Sequence, residues 1–545
     1  MPLRHALSSI LVAVATVAVS AAGPAGAAAQ TAGVLDDPAF QQLLPPVSAP
    51  LAAAGGEGAP QVQPGAGRPG ARSAAQSDPV RQAILRAARK DAISSAESLR
   101  YRKIWRNARR TARTLKGARG RELASVLGTV RLITARKALH GHRMPAVFET
   151  VRRNRAFWTE RAFPKTSQRV SFKGSRVIWQ YYPGRGMQFQ PLASFGRANA
   201  LWSRHDAAGR EGLGELLDEL SALRSVRGGA VTWEYYFPFG GGQAPWTSAI
   251  SQGTAIQALA RGGRTLDRPE LLELARAALP LFAKRTPVGV RVPVGRDGNW
   301  YALYSFAPGL RVLNAHVQAL NGLNDLAVHG SSDQARRLYQ EGERAARRRI
   351  TQFDTGAWSL YASPGREATL NYHQLNTDVL SGLCRRSKRA AICDASRRFT
   401  RYRTEAPLLT RVRTGRPIEG RSTGVNFTLS KVGTVQVYVK RRAGARVLRR
   451  VGAPLTRGRR RLTFRAPTTP GRYRIDIRAT DLAGNVGREA VHFDVRESAR
   501  TKARRATARE RAERRAAQRR KRARERREAR ERTEPTKPTS TVRGG

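Results

Sequence analysis

The stretch Phe353–Leu383, FDTGAWSLYASPGREATLNYHQLNTDVLSGL, changes in character along its length. Its opening Asp-Thr-Gly predicts a turn, because Asp and Gly favour the backbone conformations that turns require. A short strand from Ala357 to Tyr361 follows, then a Pro-Gly loop, and then a helix that begins at about Leu370. The stretch therefore predicts a strand, a loop and a helix in that order.

Two tyrosines flank the predicted loop. Tyr361 precedes it, Arg366 lies within it, and Tyr372 follows it beside His373. Tyr372 and Asn376 are four residues apart, so they share one face of the helix. Phenol, imidazole and amide groups next to an arginine can transfer protons beside an anion. A helix N-terminus with two packed tyrosines is the alternative.

Pairs of predicted helices alternate with aromatic, strand-like segments such as TWEYYFPF and NWYALYSF between about residues 166 and 404. Helix pairs that return through short β connections predict an α/α toroid, whose inner-helix ends and loops form one open cleft. An irregular helical bundle is the alternative. The predicted helices are 190–204, 213–223, 247–261, 269–284, 312–328, 332–350, 370–383 and 391–402.

One predicted inner helix carries a polar stripe of Asn314, Gln318, Asn321 and Asp325, which are spaced at helical intervals. Arg and Lys are absent from this stripe, although they fill most of the other predicted helix surfaces. Amide side chains suit a hydrogen-bonding lumen, so we expect Asn314 and Gln318 to face a substrate. A solvent-facing surface is the alternative.

The N-terminal third is predicted to be accessory. Residues 1–29 combine basic residues, a short apolar run and an A-x-A-like site, which is the pattern of a secretory signal peptide. The apolar run is too short for a stable membrane span, and an uncleaved anchor is the alternative. We expect a disordered linker at 30–77, rich in Ala, Gly and Pro, and a helical N-terminal region at 78–165.

The C-terminal quarter changes to alternating apolar and polar residues. Segments such as TVQVYVKR and YRIDIRATD, separated by turn signals, predict an all-β, Ig-like sandwich at 405–496. Residues 497–545 are polybasic and have no apolar face, so they form a disordered or helical tail that cannot pack by itself. We expect the tail to bind anionic wall polymer weakly, and a merely solvated tail is the alternative.

Charge and cysteine content restrict the partners. Lys and Arg number 99 against 40 Asp and Glu, a net charge of +59 that attracts polyanions. Export from the cytoplasm argues against nucleic acid as a partner and for acidic polysaccharide or cell envelope.

Cys384 and Cys393 predict a disulfide that joins two helices. The sequence shows no metal-ligand spacing, so we expect no metal, and it leaves the oligomeric state open.

Three stretches in order resemble the C-terminal domain of the D-glucuronyl C5-epimerase family. They are WTSAISQGTAIQALARG, which starts at Trp246, NWYALYSFAPGLRVLNAHVQALNGLNDLA, which starts at Asn299, and the stretch Phe353–Leu383. Upstream, YYPGRGMQFQPLASFGRANALW resembles the segment that precedes this domain in bacterial members. The resemblance covers residues 179–401, less than half of the chain.

Members of that family invert C5 of glucuronic acid units in a polysaccharide, without a redox cofactor. The proton removed lies next to a carboxylate, so the reaction needs a base, an acid and donors that neutralise the carboxylate. The resemblance implies that Tyr304, Tyr361 and Tyr372 are catalytic, with a nearby arginine that lowers their pKa. The expected substrate-binding residues are Trp246, Gln252, Arg185, Asn314, Gln318, Arg366, His373 and Asn376.

The chain departs from the animal-type enzymes at two places. Leu303 stands where they have a Glu, and Tyr361-Ala-Ser-Pro364 stands where they have Tyr-Asp-Leu-Arg. Glu234, Arg185 and Arg366 are candidates to supply the missing charges. A secreted uronate epimerase is the first hypothesis. A polysaccharide lyase and a non-catalytic envelope protein that binds anionic glycan are the alternatives.

Overall fold

The computed structural model describes residues 78–533, and the chain divides into two compact units between Arg403 and Thr404. The predicted signal peptide, the predicted linker and the last twelve residues of the predicted tail lie outside the described residues. Within the described residues, no helix combines the length and the apolar character that a membrane span needs.

The first unit begins with a layer of helices. Ser94 and Glu97 form a capping box that starts the second of them, which satisfies backbone N–H groups at its N-terminus. The apolar faces share a core in which the rings of Tyr101 and Phe148 stack 4.8 Å apart. The helices are α1 (Pro79–Arg89), α2 (Ser95–Thr114), α3 (Gly117–Ala135) and α4 (Met144–Glu160).

Helical hairpins follow, and each pairs an inner helix with an outer helix. The inner helices are α5 (Pro191–Trp202), α7 (Ala249–Thr265), α10 (Leu313–His329) and α12 (Leu370–Ser387), and each packs against the next. The outer helices are α6 (Ala207–Ala222), α8 (Pro269–Ala278) with the short α9 (Pro280–Ala283), α11 (Asp333–Arg349) and α13 (Ala390–Tyr402). This arrangement is the predicted toroid-like, incomplete α/α barrel.

The predicted helices are confirmed, with ends that move by up to six residues and one exception. The predicted helix 269–284 is divided, because Pro280 has no N–H to continue the hydrogen-bonding pattern.

The inner helices α7 and α10 approach each other closely at a pair of glycines. A Cβ on Gly322 of α10 would lie 1.9 Å from the carbonyl oxygen of Gly253 in α7, so this approach requires glycine.

Short antiparallel strands connect the hairpins. They are β1 (Arg169–Val170), β2 (Trp179–Tyr182) and β3 (Gly186–Phe189) in one sheet, the pair β4 (Ser225–Arg227) and β5 (Ala230–Thr232), and the pair β6 (Arg291–Pro293) and β7 (Asn299–Tyr301). The N-terminal layer holds the β2–β3 hairpin, because the Glu122 carboxylate of α3 accepts hydrogen bonds from the Tyr181 hydroxyl and from two backbone N–H groups.

The predicted strand at 357–361 is wrong. Residues 354–367 instead form bends with three isolated bridges, Asp354–Ser359, Leu360–Glu367 and Ala362–Val312. The side chains of Asp354 and Thr355 accept hydrogen bonds from the backbone N–H groups of Gly356 and Trp358. Such local bonds compete with strand pairing and produce a turn.

The predicted disulfide is present in the structure. Cys384 in α12 and Cys393 in α13 are bonded, with their Cα atoms 4.9 Å apart. The bond joins the inner and outer helices of the last hairpin, as predicted.

The second unit is an all-β sandwich followed by a helix. Its strands are β8 (Leu409–Thr414), β9 (Ser422–Leu429), β10 (Gly433–Arg441), β11 (Val447–Leu455), β12 (Gly458–Arg465), β13 (Gly471–Asp481) and β14 (Val486–Val495). They form a three-stranded sheet in the order β12-β9-β8 and a four-stranded sheet in the order β11-β10-β13-β14. Side chains from both sheets share one core, as expected of a sandwich. The helix α14 (Ala499–Thr533) follows.

Candidate active site

The same contact joins each inner helix to the extended segment before it. In every case the side chain of the fourth helical residue accepts a hydrogen bond from a backbone N–H of that segment. The pairs are Ile178 with Ser194 (3.0 Å), Trp233 with Gln252 (3.3 Å), Tyr301 with His316 (3.0 Å) and Ser359 with His373 (3.3 Å). This repeated contact brings the loops that precede the helices to the same end of the toroid.

His373 and His316 have equivalent surroundings. The His373 ring stacks on Trp358 at 3.7 Å, and its Nε2 donates to the carbonyl oxygen of Phe399 at 2.8 Å. The His316 ring stacks on Trp300 at 4.0 Å, and its Nε2 donates to the carbonyl oxygen of Gly342 at 3.0 Å. Both ring nitrogens of His373 therefore bond to protein atoms, which suits a residue that positions the loop before α12.

The three predicted catalytic tyrosines come together at this end of the toroid. Tyr361 and Tyr372 meet edge to face with ring centroids 4.6 Å apart. Tyr304, from the loop between β7 and α10, lies close enough to Tyr361 for an electrostatic interaction between the phenols. Its ring also meets Trp246 edge to face at 5.4 Å. Side chains from separate loops thus form one cluster, which we call the tyrosine cluster (Trp246, Tyr304, Tyr361 and Tyr372).

Two more tyrosines adjoin the cluster and were not predicted. The Tyr235 hydroxyl donates to Gln190 Oε1 at 3.0 Å, and Gln190 Nε2 donates to the Tyr182 hydroxyl at 2.8 Å. The Tyr235 ring stacks on Trp246 at 4.1 Å. The aromatic segments WQYYPG and TWEYYFPF held the only sequence signal for these residues.

Burial controls the acidity of the cluster. Tyr361 is 5% exposed and Tyr304 is 2% exposed, and burial raises the pKa of both phenols well above the ordinary value. The nearby phenols of Tyr361, Tyr235 and Tyr182 raise the pKa of Tyr304 further. The expectation that an arginine lowers these pKa values is wrong for the protein without substrate. Both phenols keep their protons at neutral pH.

The predicted amides lie between the inner helices. Asn314 of α10 donates to Asn376 of α12 at 3.3 Å, and Asn376 in turn donates to Ser359 Oγ at 3.1 Å. The side-chain amide of Gln252 accepts from the Trp233 N–H and donates to the Trp233 carbonyl oxygen, so this side chain anchors a loop. The amides thus support the loops that carry the tyrosine cluster.

The polar stripe of α10 is buried, so its solvent-facing alternative is wrong. Gln318 Nε2 donates to Gln257 of α7 at 2.9 Å, and Asp325 receives the guanidinium groups of Arg261 and Arg386, each at 2.8 Å. The stripe itself has no cation, but the neighbouring inner helices supply two. It forms a polar seam that runs from Asn314 to Asp325.

The arginines predicted to bind substrate lie at exposed loop positions. The Arg185 guanidinium donates to the carbonyl oxygen of Gly184 at 2.9 Å, at the tip of the β2–β3 hairpin. Arg366 is exposed, and its carbonyl oxygen accepts from the Tyr361 N–H at 3.1 Å. The buried Glu234 carboxylate is paired with Arg143 at 2.6 Å and Arg227 at 2.9 Å, so it is a structural ion pair.

Arg311 is a further arginine beside the cluster, and it was not predicted. Its carbonyl oxygen accepts from the Ser363 N–H at 3.0 Å, and the adjacent Val312 forms an antiparallel bridge with Ala362. This bridge brings the backbone of Arg311 next to the loop that carries Tyr361. The Arg311 guanidinium forms no ion pair with any residue in 78–533. No group of His, Cys, Asp and Glu in the same range could hold a metal ion.

Known proteins resemble part of this chain. Residues 227–401 match the family model described as D-glucuronyl C5-epimerase C-terminus. A D-glucuronyl C5-epimerase from Caenorhabditis elegans is 32% identical over 130 residues, which are 21% of this chain and 21% of that protein. The chain thus spans about a fifth of the length of that curated relative.

Solved structures align more loosely. A cellobiose 2-epimerase from Bacillus thermoamylovorans B4167 aligns over 52% of this chain and 74% of its own, with 10% identity and a TM-score of 0.30. A D-mannose isomerase aligns over 51% and 73%, with 8% identity and a TM-score of 0.30. The family match confirms the resemblance seen in the sequence, because residues 227–401 match the C-terminal domain of the D-glucuronyl C5-epimerase family.

Proposed function

We propose that this protein is a uronate C5-epimerase that acts on an acidic polysaccharide. The observation that supports this proposal is the meeting of Tyr304, Tyr361 and Tyr372, from separate loops, at one end of the inner helices. All three lie inside the segment that matches the epimerase family. An epimerase needs an acid and a base on opposite faces of the sugar ring, and phenols on separate loops can supply both.

Tyr304 and Tyr361 are suited to different roles in the reaction. Tyr304 is surrounded by other phenols and holds its proton firmly, so we assign it as the acid that returns a proton to C5. Tyr361 adjoins the bridge between Ala362 and Val312, beside Arg311, so we assign it as the base. Burial raises its pKa, so it must first lose its own proton to solvent, and a guanidinium close to the phenol would favour that phenolate. The Tyr361 phenolate takes the C5 proton, and the electron pair of that C–H bond moves into the carboxylate as an enediolate. The Tyr304 hydroxyl then donates its proton to the opposite face of C5, and exchange with solvent removes the proton from Tyr361 and restores that of Tyr304.

Arg311 is our candidate for the group that binds the reacting carboxylate. Its guanidinium has no carboxylate partner in the described protein, and forked N–H groups suit two carboxylate oxygens. A cation at the carboxylate stabilises the charge that develops there when C5 loses its proton. This role would compensate for the arginine that is missing after Tyr361.

We place the activity outside the cytoplasm. The signal-peptide pattern of residues 1–29 and the bond between Cys384 and Cys393 both suit an exported protein. The basic tail would then hold the protein near anionic wall polymer through salt-sensitive contacts.

Hydrogen exchange with solvent tests the proposal. The full chain is incubated in D2O with an unsulfated polymer that alternates glucuronic acid and N-acetylglucosamine, and deuterium at C5 is measured by NMR. We expect deuterium at C5 and the appearance of iduronic acid. Ultraviolet absorbance from an unsaturated uronate would instead show a lyase. If no uronic acid polymer gains deuterium at C5 and none is cleaved to shorter chains, the enzymatic proposal fails.

A further inference from the structure

The outward face of the three-stranded sheet in the second unit is rich in arginine. Its strands β8 (LTRVRT), β9 (STGVNFTL) and β12 (GRRRLTFR) contain six arginines and no Asp or Glu. Five of these arginines are exposed, namely Arg411, Arg413, Arg459, Arg461 and Arg465. We call the surface formed by Arg411, Arg413, Asn426, Thr428, Arg459 and Arg461 the arginine face.

Strand register orders these residues into rows. Arg413 lies opposite Asn426, and Asn426 lies opposite Arg461, so one row across the sheet reads Arg-Asn-Arg. In the next row Thr428 lies opposite Arg459. The outer arginines of a row stand two strand spacings apart, about 10 Å, and rows on this face repeat about every 7 Å. Cations therefore lie on both sides of Asn426, whereas Thr428 lies between Arg459 and Thr410.

The arginine face forms a shallow groove rather than a flat surface. A cavity of about 600 Å³ is lined by Arg411, Arg413, Arg459, Arg460 and Arg461 together with Asn426, Phe427 and Thr428. None of these arginines forms an ion pair with a residue in 78–533. Like charges this close repel one another, so an anionic ligand would relieve a cost that the folded unit otherwise carries.

The opposite sheet shows that this charge pattern is not a general property of the sandwich. On the outward face of the four-stranded sheet, Asp476 pairs with Lys440 at 3.0 Å and also with Arg474. Glu489 lines a groove there together with Arg478 and Arg488. On the four-stranded face Asp476 thus pairs with two of the cations, whereas none of the arginines that line the arginine face has an ion pair within residues 78–533.

We propose that the arginine face binds a chain of uronic acid residues and holds the polymer that the first unit modifies. Guanidinium forks recognise carboxylates, and Asn426 and Thr428 of β9 offer partners for sugar hydroxyls. The identity of the polymer rests on the proposed function, but binding by this face does not require catalysis.

The composition of the face favours a glycan over nucleic acid. Proteins that bind single-stranded nucleic acid usually stack bases on exposed aromatic side chains. The aromatic residues of β8, β9 and β12 are Phe427 and Phe464, and both are buried in the sandwich core. The arginine face therefore offers forks and hydrogen-bonding groups without a stacking platform.

Binding by matched charge variants tests this inference. The full chain is titrated with a fluorescent octasaccharide that alternates glucuronic acid and N-acetylglucosamine, at several salt concentrations. The face variant replaces Arg411, Arg413, Arg459 and Arg461 with Gln, and the control replaces Arg472, Arg474, Arg478 and Arg488 with Gln. Both remove four guanidinium groups and leave the basic helix α14 intact. We expect Kd to rise at least about tenfold in the face variant and less than about threefold in the control.

Equal losses in the two variants would overturn the proposal, because the effect would then be one of net charge alone. A larger loss for oligo(dT) of equal charge than for the octasaccharide would overturn it in favour of nucleic acid. If circular dichroism shows that the face variant does not fold, the corresponding Lys variant replaces it. We expect that variant to bind about threefold more weakly, because ammonium groups lack the fork, and an unchanged Kd would overturn the proposal.

Catalysis is measured separately on a tetrasaccharide in D2O. We expect the face variant to keep the C5 exchange rate of the parent protein. Face-dependent binding by a protein that shows no exchange at all would support the arginine face and refute the proposed function.

Discussion

The inner helices end in two kinds of polar chemistry. At one end Asp325 of α10 accepts from Arg261, Arg386 and Gln257, and Arg261 also donates to Asn199 at 2.9 Å. At the other end, the side chains of the tyrosine cluster and the amides that support its loops carry no formal charge. Charges that are matched within the protein hold the helices together, whereas Tyr304 and Tyr361, whose pKa values burial raises, keep their protons at neutral pH.

The difference separates structure from chemistry along one set of helices. A buried carboxylate with two guanidinium partners has no remaining capacity for a ligand, and removing one partner leaves an uncompensated charge. A phenol keeps its packing when its hydroxyl is removed, so its loss affects chemistry more than stability. Substitutions at the two ends are therefore expected to change different measurements.

The largest effect is expected at the charged end. Asp325→Ala leaves Arg261 and Arg386 buried without a counter-charge, which is expected to lower the free energy of unfolding by about 3–5 kcal/mol. Urea unfolding followed by tryptophan fluorescence measures this, because all eight tryptophans lie in the first unit. The exposed Asp333→Ala is the control and is expected to cost less than about 0.5 kcal/mol. A similar small loss for Asp325→Ala would show that the seam is not what holds the helices.

The tyrosine end is expected to respond in activity alone. Tyr361→Phe removes the proposed base, so C5 exchange is expected to fall at least about a hundredfold. The ring contact with Tyr372 remains, so the free energy of unfolding is expected to change by less than about 1 kcal/mol. Tyr339→Phe is the matched control, because the Tyr339 hydroxyl has no hydrogen-bond partner among the described residues. Equal activity of the two variants would remove Tyr361 from the mechanism.

Arg311 and Arg366 can be ranked by the same assay. Arg311→Gln is expected to lower kcat/KM for C5 exchange about tenfold or more, since a charge-assisted bond to the substrate carboxylate is lost. Arg311→Lys is expected to recover part of that loss. Arg366 is exposed on the neighbouring loop, so Arg366→Gln is expected to have the smaller effect. The reverse ranking would transfer the carboxylate-binding role to Arg366.

The smallest expected effect is a change in how stability depends on pH, through His316, which makes the repeated contact at the start of α10. Burial lowers the pKa of His316 to about 3, whereas an unfolded histidine titrates near 6.5. The unfolded chain binds the extra proton between these values, so stability falls as pH falls from about 6.5 to 3. This group alone contributes a slope of about 1.4 kcal/mol per pH unit within that window.

Glutamine occupies the position of His316 in the preceding hairpin, where Gln252 makes the same backbone contact. His316→Gln is therefore expected to fold and to flatten the dependence of unfolding free energy on pH by about one proton. The exposed His205→Asn serves as the control, since Asn tolerates the positive φ of this residue. An unchanged slope for His316→Gln would mean that His316 titrates normally in the folded protein.

Several features could be predicted from local sequence because their causes are local. Helical spacing of apolar residues predicted the hairpins, and alternation predicted the sandwich. The strand predicted at 357–361 failed because Asp354 and Thr355 bond to the backbone nearby, which periodicity does not register. The tyrosines that we propose to be catalytic were selected through resemblance, since nothing in their spacing distinguishes Tyr304 from the neighbouring Tyr301.

By itself the sequence determined the helix pairs, the disulfide, the positive charge and the epimerase-like segment, because these depend on periodicity, composition and motif order. Only the tertiary structure decided which polar residues serve stability and which remain for chemistry. His373 bonds to a carbonyl oxygen 26 residues away, and Asp325 meets arginines from two other helices. Partners so distant in sequence are brought together by packing, which the local sequence pattern does not specify.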